Sequence, residues 1–313
     1  MINFIQNRLS EDLKFEYEKK GYAILPKIID DDNIEKLKIA FDRIFNNDYD
    51  RDIYPFDRVY KHGIDNPSLY KVNNGWWLNN DIRSAILSPY IGYIMSFFMS
   101  TDEVRIWHDQ VVLKKANKSS SENAINASNI GWHQDYAHWQ VSSSQNMATL
   151  WLALQDTDLN NGGMRTIVGS HKWGLKENAD TFHDKDLDKL KEKFKKDHDW
   201  VDEPCILKKG EATVHHCLSL HGSGANKTDE DRLSLIIHCM PKKTFYRGRI
   251  DPHKTFDLNS KGNRHANVPL LGPNAKPGTY FDNDYFPVIW PFKIENSELY
   301  DINVEPLKDE LHG

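Results

Sequence analysis

The chain has 313 residues, with 40 basic and 46 acidic side chains and a formal net charge of −6. That near-balance excludes the basic footprint of a nucleic-acid binder and the polybasic patch of a membrane-surface protein, and no apolar run approaches the roughly 20 residues of a membrane span. The length is enough to bury a large core. In chain order, 10–20 reads as a helix opened by Ser10 and ended by Gly21. Tyr22 to Leu25 form a short strand, and the cluster Asp30–Asp32 caps a helix with apolar residues at Ile34, Leu37, Phe41 and Ile44. Residues 48–80 are irregular and aromatic, and helical patterns return over 81–99.

From 104 the period becomes two. Val104, Ile106, His108, Gln110, Val112 and Lys114 alternate with Arg105, Trp107, Asp109, Val111 and Leu113. The polar segment 115–129 reads as a surface loop or lid. Short strands follow near 147–154, 164–168, 204–208, 211–217 and 232–240, with Gly- or Asn-containing turns between them. This pattern predicts a sandwich or jelly roll. A solvated helix over 182–199 interrupts it, with Leu187, Leu190 and Phe194 on one face. The Pro- and aromatic-rich tail wraps the barrel, and neither an internal repeat nor a linker is visible.

The three cysteines, Cys205, Cys217 and Cys239, lack metal-site spacing and read as free thiols of a reducing compartment. With no secretory pattern at the start of the sequence, the expected location is cytoplasmic, as a monomer or homodimer.

The chemistry concentrates in GWHQDYAHW at 131–139 and HGSGANKTDEDR at 221–232. In an extended chain His133 and Asp135 project to one face, with Gln134 opposite. With 14 histidines and 46 acids, a His-x-Asp/Glu triplet is expected about twice by chance, so alone it is weak. A third ligand is needed, and His221 is a candidate with local rivals in His215 and His216; spacing does not choose among them. Two imidazoles and one carboxylate on one face of an octahedron are the pattern of non-haem Fe(II) oxygenases. In those that use 2-oxoglutarate, a cation is needed for the distal carboxylate. Arg232 suits it because its planar fork holds a carboxylate bidentately, and Ser223, two after His221, can donate a hydroxyl to the same group.

The chain resembles the phytanoyl-CoA dioxygenase family. The matching pieces are WHDQ at 107–110, GWHQD at 131–135, TLWLAL at 149–154, NGGMRTIVGSHKWG at 161–174 and HHCLSLHGSGAN at 215–226, in the family's order and spanning roughly 15–295. The resemblance implies one oxygenase domain over 1–313 on a double-stranded β-helix. Its parts are a helical flank to about 100, a jelly-roll core over 104–240 carrying the 182–199 insertion, and a wrapping segment from 241. It also selects His221, the histidine directly before Gly-Ser-Gly, as the third iron ligand. That leaves His216 to support the pocket or satisfy a core hydrogen bond. Lys71, Gln110 and Trp151 are implied as further 2-oxoglutarate contacts; Lys114 shares a face with Gln110 and receives no role.

Implied cofactors are Fe(II), 2-oxoglutarate and O2, with ascorbate as an assay reductant. The implied reaction is oxidation, foremost hydroxylation, of an unactivated C–H bond in a small metabolite, coupled to succinate formation. The presence of Asp135 favours this over halogenation, since related halogenases replace that carboxylate with a small residue. Tyr136, His138 and Trp139 are candidates for the substrate wall, as are Trp76 and Trp77. Two other readings use the same residues: a non-catalytic jelly-roll metal- or ligand-binding protein, and a zinc hydrolase. The second leaves Ser223 and Arg232 without a purpose.

Overall fold

A computed structural model of the chain describes residues 9–51, 58, 67–117, 126–196, 198–248 and 265–291. Most of the 115–129 loop, parts of 48–80 and much of the tail lie outside these residues. The helices are α1 (Glu11–Lys20), α2 (Asp31–Phe45), α3 (Asn80–Ile86), α4 (Pro89–Met99) and α5 (Leu187–Phe194). The strands are β1 (Tyr22–Leu25), β2 (Leu69–Asn73), β3 (Val104–Lys114), β4 (Ile130–His133), β5 (Ala148–Ala153) and β6 (Met164–Ile167), followed by β7 (Asp202–Pro204), β8 (Ala212–His216), β9 (His221–Ser223), β10 (Arg232–Pro241) and β11 (Val288–Trp290). None of the described helices is long and apolar enough to cross a membrane.

Local chemistry sets the helix ends. The Ser10 side chain accepts from the Leu13 N–H, and Gly21 closes α1 in the left-handed conformation. Asp30 caps α2, whose Ile34, Leu37, Ala40, Phe41 and Ile44 are all buried. The helical stretch over 81–99 divides at Ser88-Pro89, where Ser88 caps α4. The insertion over 182–199 is helical only over Leu187–Phe194.

The strands form two sheets. The larger runs β1-β8-β5-β10-β3-β11, with β2 also paired to β3, and the smaller runs β4-β9-β6-β7. All the pairings among the described strands are antiparallel, giving the jelly-roll arrangement expected. Strand β3 is long enough for β2 to pair with its second half and β11 with its start, while β10 runs beside it on the other edge. The larger sheet thus draws strands from well outside the 104–240 core.

Alternation on the larger sheet separates two environments. Val111, Leu150, Leu152, Val214, Leu235 and Ile237 turn outward into one cluster with the apolar faces of α2, α3 and α4. His108, Gln110, Thr149, Trp151, Arg232, Ser234 and His238 turn inward to a cavity between the sheets. Both faces of β3 are therefore covered, and even Asp109 is buried; its carboxylate accepts from the Gly75 and Trp76 N–H groups. Trp76 and Trp77, expected near the site, instead pack in the outer cluster. The smaller sheet is backed by Leu190 and Phe194 of α5 against Trp132, Ile167 and Leu220.

Gly131 is a point of close approach. Its N–H donates to the Phe182 carbonyl, and a Cβ there would run into the carbonyl oxygens of Thr181 and Asp184. Backbone cannot rotate away as a side chain would, so Gly131→Ala is expected to destabilise the fold by about 1–3 kcal/mol. A denaturant titration measures this; an unchanged midpoint would show that the 179–184 segment yields freely.

Candidate active site

Strand β4 ends at His133, and the chain turns through Gln134 into a one-turn helix at Asp135–His138. Gln134 faces away from the cavity, donating to the Gly174 and Leu218 carbonyls and accepting from the Lys176 N–H. The turn aims the Asp135 carboxylate back at His133. His221 starts β9 directly opposite His133 in register. The residue before it is held by Ser170, whose hydroxyl accepts from the Leu220 N–H and donates to the Ile167 carbonyl. This is the local work of the GSHKWG stretch.

One ligand atom from each of His133, Asp135 and His221 lies within 4.8 Å of the others, and all three residues are buried. His133 Nε2 is 3.6 Å and His221 Nε2 3.7 Å from Asp135 Oδ1. The other nitrogen of each ring faces a carbonyl: His133 Nδ1 lies 2.8 Å from the Gly131 oxygen, and His221 Nδ1 3.0 Å from that of Ser219. A carbonyl can only accept, so each Nδ1 carries a proton and each Nε2 is the atom left to face the Asp135 carboxylate, as a lone pair in the neutral ring. Three ligand atoms that converge in this way, from two imidazoles and a carboxylate, are a donor set that fits a divalent metal.

A second group of residues orients the carboxylate. Asp135 Oδ2 accepts from Thr149 Oγ1 at 2.7 Å, and His215 Nε2 lies 3.3 Å away. Burial alone would push the Asp135 carboxyl up, but His221, His133 and His215 outweigh it and hold the group well below the ordinary range. Burial, reinforced by His133 and His215, holds His221 well below the ordinary imidazole range.

Of the three rival histidines, His215 and His221 both face the site. His216, one residue on in β8, points the other way, and its Nδ1 accepts from the Leu218 N–H. The supporting position beside Asp135 is filled by His215. Nothing in the HH pair marked which would turn inward; the pairing of β8 between β1 and β5 decides it.

At the other end of the cavity lies Arg232, 2% exposed. Its Nη1 donates to Ser234 Oγ at 2.7 Å and its Nη2 to the Gly162 carbonyl at 3.3 Å, while Nε has no partner. The guanidinium lies over the Trp151 ring at 5.3 Å. No carboxylate among the described residues pairs with it, and burial draws its pKa down to about 9, still charged at neutral pH. Gly162, at a positive φ of 75°, lets the NGG turn pass close beneath this end. Ser223 lines the cavity nearby, on the same face of β9 as His221.

Of the remaining expected contacts, Lys71, Gln110 and Trp151 all line the cavity. Lys71 sits with its ammonium 4.8 Å from the centre of the Phe182 ring, which packs edge-on against His133. His138 and Trp139 also line it. Tyr136 does not: it turns away, its hydroxyl donating to the Ser142 carbonyl and accepting from Arg247. The one-turn helix explains the difference, since successive residues on a helix are about 100° apart and cannot all face one cavity.

Thr149, His108, His238, His265 and Phe182 also line the cavity, beyond the residues that the motifs point to. The period-two patterns of β3, β5 and β10 place His108 with Gln110, Thr149 with Trp151, and His238 with Arg232, so a face-by-face reading could have found three of them. Phe182 and His265 lie outside strands and carry no such signal.

The comparisons agree with this geometry. Residues 17–234 match the family model described as phytanoyl-CoA dioxygenase. The chain is 23% identical over 247 residues to the peroxisomal phytanoyl-CoA dioxygenase of Mus musculus, covering 73% of this chain and 67% of that protein. It is 24% identical over 234 residues to the probable alpha-ketoglutarate-dependent hypophosphite dioxygenase of Stutzerimonas stutzeri, covering 71% of this chain and 75% of that protein. Its fold is similar to the crystal structure of the epimerase SnoN in complex with Fe3+, alpha ketoglutarate and nogalamycin RO, with a TM-score of 0.64 at 22% identity over 89% of this chain and 98% of that one. The alpha ketoglutarate dependent carbocyclase SnoK gives 0.64 at 18% identity, over 90% and 97% of the two chains. With a match over most of its length and a buried two-histidine, one-carboxylate centre facing an unpaired arginine, this chain belongs to the phytanoyl-CoA dioxygenase family of non-haem Fe(II)/2-oxoglutarate-dependent oxygenases.

Proposed function

We propose that this protein hydroxylates an unactivated C–H bond of a small polar molecule, with His133, Asp135 and His221 holding iron and Arg232 and Ser223 holding the distal carboxylate of 2-oxoglutarate. Lys71, Gln110 and Trp151 complete the co-substrate site. The observation that carries this reading is one cavity with three converging ligand atoms at one end and a buried, uncompensated guanidinium at the other. A dicarboxylic 2-oxo acid answers both ends at once. Bound iron and 2-oxoglutarate supply an oxidant strong enough for C–H chemistry, with decarboxylation to succinate. The protein's own residues fix ligand geometry, keep the Nε2 lone pairs available and exclude water.

The proposal of a polar substrate rests on the rest of the lining. His108, His138, His238, His265, Asn73 and Asn267 contribute to it, with Trp139 and Phe182 as flat walls. Asp135 is the sole acidic residue among the described lining. Since the Thr149 hydroxyl donates to Asp135, it accepts from His238 Nδ1, 2.8 Å away. The His238 Nε2 lone pair is then left buried without a partner, ready for a substrate hydroxyl or amine. His138 and Trp139 are proposed as substrate contacts beside it.

The test is succinate formation from 2-oxoglutarate under air with Fe(II) and ascorbate, with and without candidate metabolites, and a product gain of one oxygen by mass spectrometry. Metal binding without succinate would leave a binding protein; hydrolysis supported by zinc would favour the hydrolase. A companion prediction concerns Thr149→Val. It keeps the side-chain shape but removes the donor to Asp135, and is expected to weaken Fe(II) affinity by about 10- to 100-fold. Unchanged affinity would show that His215 alone orients the carboxylate.

A further inference from the structure

Lys114 ends β3 and pairs in register with Arg232, the first residue of β10. Residues directly opposite in a sheet point to the same face, and like charges there repel. Here both are cationic types and both are buried, with Lys114 at 0% exposure. Neither has a carboxylate within ion-pair distance among the described residues. A protein does not keep two neighbouring buried cations for stability, because desolvation and repulsion both oppose it. Burial, followed by Arg232 and Lys185, pulls the Lys114 ammonium well below its ordinary range.

The contacts of Lys114 are specific. Its Nζ donates to Ser223 Oγ at 2.6 Å and to the Gly224 carbonyl at 2.5 Å. A lysine nitrogen bonded this way is the donor, so Ser223 Oγ must accept from it. The hydroxyl's own proton is then left to point elsewhere, and Ser223 lines the cavity. Lys114 itself is not part of that lining, so it reaches the cavity through Ser223.

We infer that Lys114 is a positioning residue for the co-substrate, which turns the Ser223 hydroxyl proton toward the distal carboxylate and so favours a dicarboxylic 2-oxo acid over a monocarboxylic one. The inference rests on the 2-oxoglutarate reading of this cavity. A lone arginine balances one carboxylate; the Lys114–Ser223 arm supplies a donor from the opposite sheet, so the carboxylate is gripped between β10 and β9.

The experiment is anaerobic calorimetry of the Fe(II)-loaded protein with 2-oxoglutarate and with 2-oxobutyrate, which lacks the distal carboxylate. Lys114→Met is expected to raise the Kd for 2-oxoglutarate by about 10- to 100-fold, the loss of a charge-assisted hydrogen-bonding arm. The Kd for 2-oxobutyrate and the affinity for Fe(II) should stay within about twofold, since neither involves this arm. An unchanged Kd for 2-oxoglutarate, or an equal loss for both acids, overturns the inference. Should Lys114→Met fail to fold, Lys114→Gln, whose shorter side chain stops short of Ser223, carries the same test: selective loss of 2-oxoglutarate binding supports the arm, and no loss overturns it. Wild-type protein that binds no 2-oxoglutarate would remove the cavity reading itself, whereas binding that is indifferent to both substitutions removes only the role of Lys114.

Discussion

His133→Ala is expected to abolish Fe(II)-dependent succinate formation, with a loss greater than about 100-fold, because changes one step further from the metal already give about 10- to 100-fold. Only two of three ligand atoms would remain, and His221 and Asp135 would face a gap where the third lone pair stood. Metal should also cease to stabilise the variant. Wild-type protein at 100 times its Kd for metal gains about 2.7 kcal/mol, read as a rise in Tm, and this rise should vanish. Retained turnover or a retained metal-dependent Tm rise in His133→Ala would remove the assigned ligand set. Asp135→Ala should behave alike, and in addition free Thr149 and His215 from their shared acceptor.

Arg232→Met should separate function from stability. The guanidinium is buried with no carboxylate to offset it, and its Nε is unpartnered. An apolar side chain of similar length removes a desolvated charge and its repulsion with Lys114, so Tm is expected to hold or rise. Binding should move the other way. Removing one partner of a buried charge pair costs about 2–5 kcal/mol, so the apparent KM for 2-oxoglutarate should increase by roughly 30-fold or more. Steady-state kinetics over a range of 2-oxoglutarate concentrations, with a thermal melt of the same samples, tests both halves. A variant with unchanged KM would show that the distal carboxylate binds elsewhere. One that melts early would show that the Ser234 and Gly162 contacts of Arg232 stabilise more than its charge destabilises.

Much of the local structure was legible because it depends on neighbours in the chain. Ser10 and Asp30 cap helices by reaching N–H groups three residues on, and the period-two run from Val104 forms a strand with no distant partner needed to recognise it. The helix expected over 182–199 failed at its start for a reason of the opposite kind. Backbone at Ala179 and Phe182 bonds to Gln134 and Gly131, which ties that segment to β4 and turns the Phe182 ring against His133. Charge and helical spacing in the segment carry no trace of that partner. Tyr136 shows the same limit at shorter range, since adjacency to the HQD motif does not tell which way a helical turn points.

The sequence by itself determined the chemistry available: a His-x-Asp pair, a later histidine before a small-residue turn, and an arginine opening an apolar strand, in the order of one family. These are covalent facts, read from spacing and residue type. The tertiary structure decided which side chains meet. It turned His215 inward and His216 outward, closed His133 and His221 on one oxygen of Asp135, and buried Lys114 beside Arg232. Such choices depend on strand pairing across a hundred residues or so, where register sets the facing of every side chain, and no local pattern encodes them.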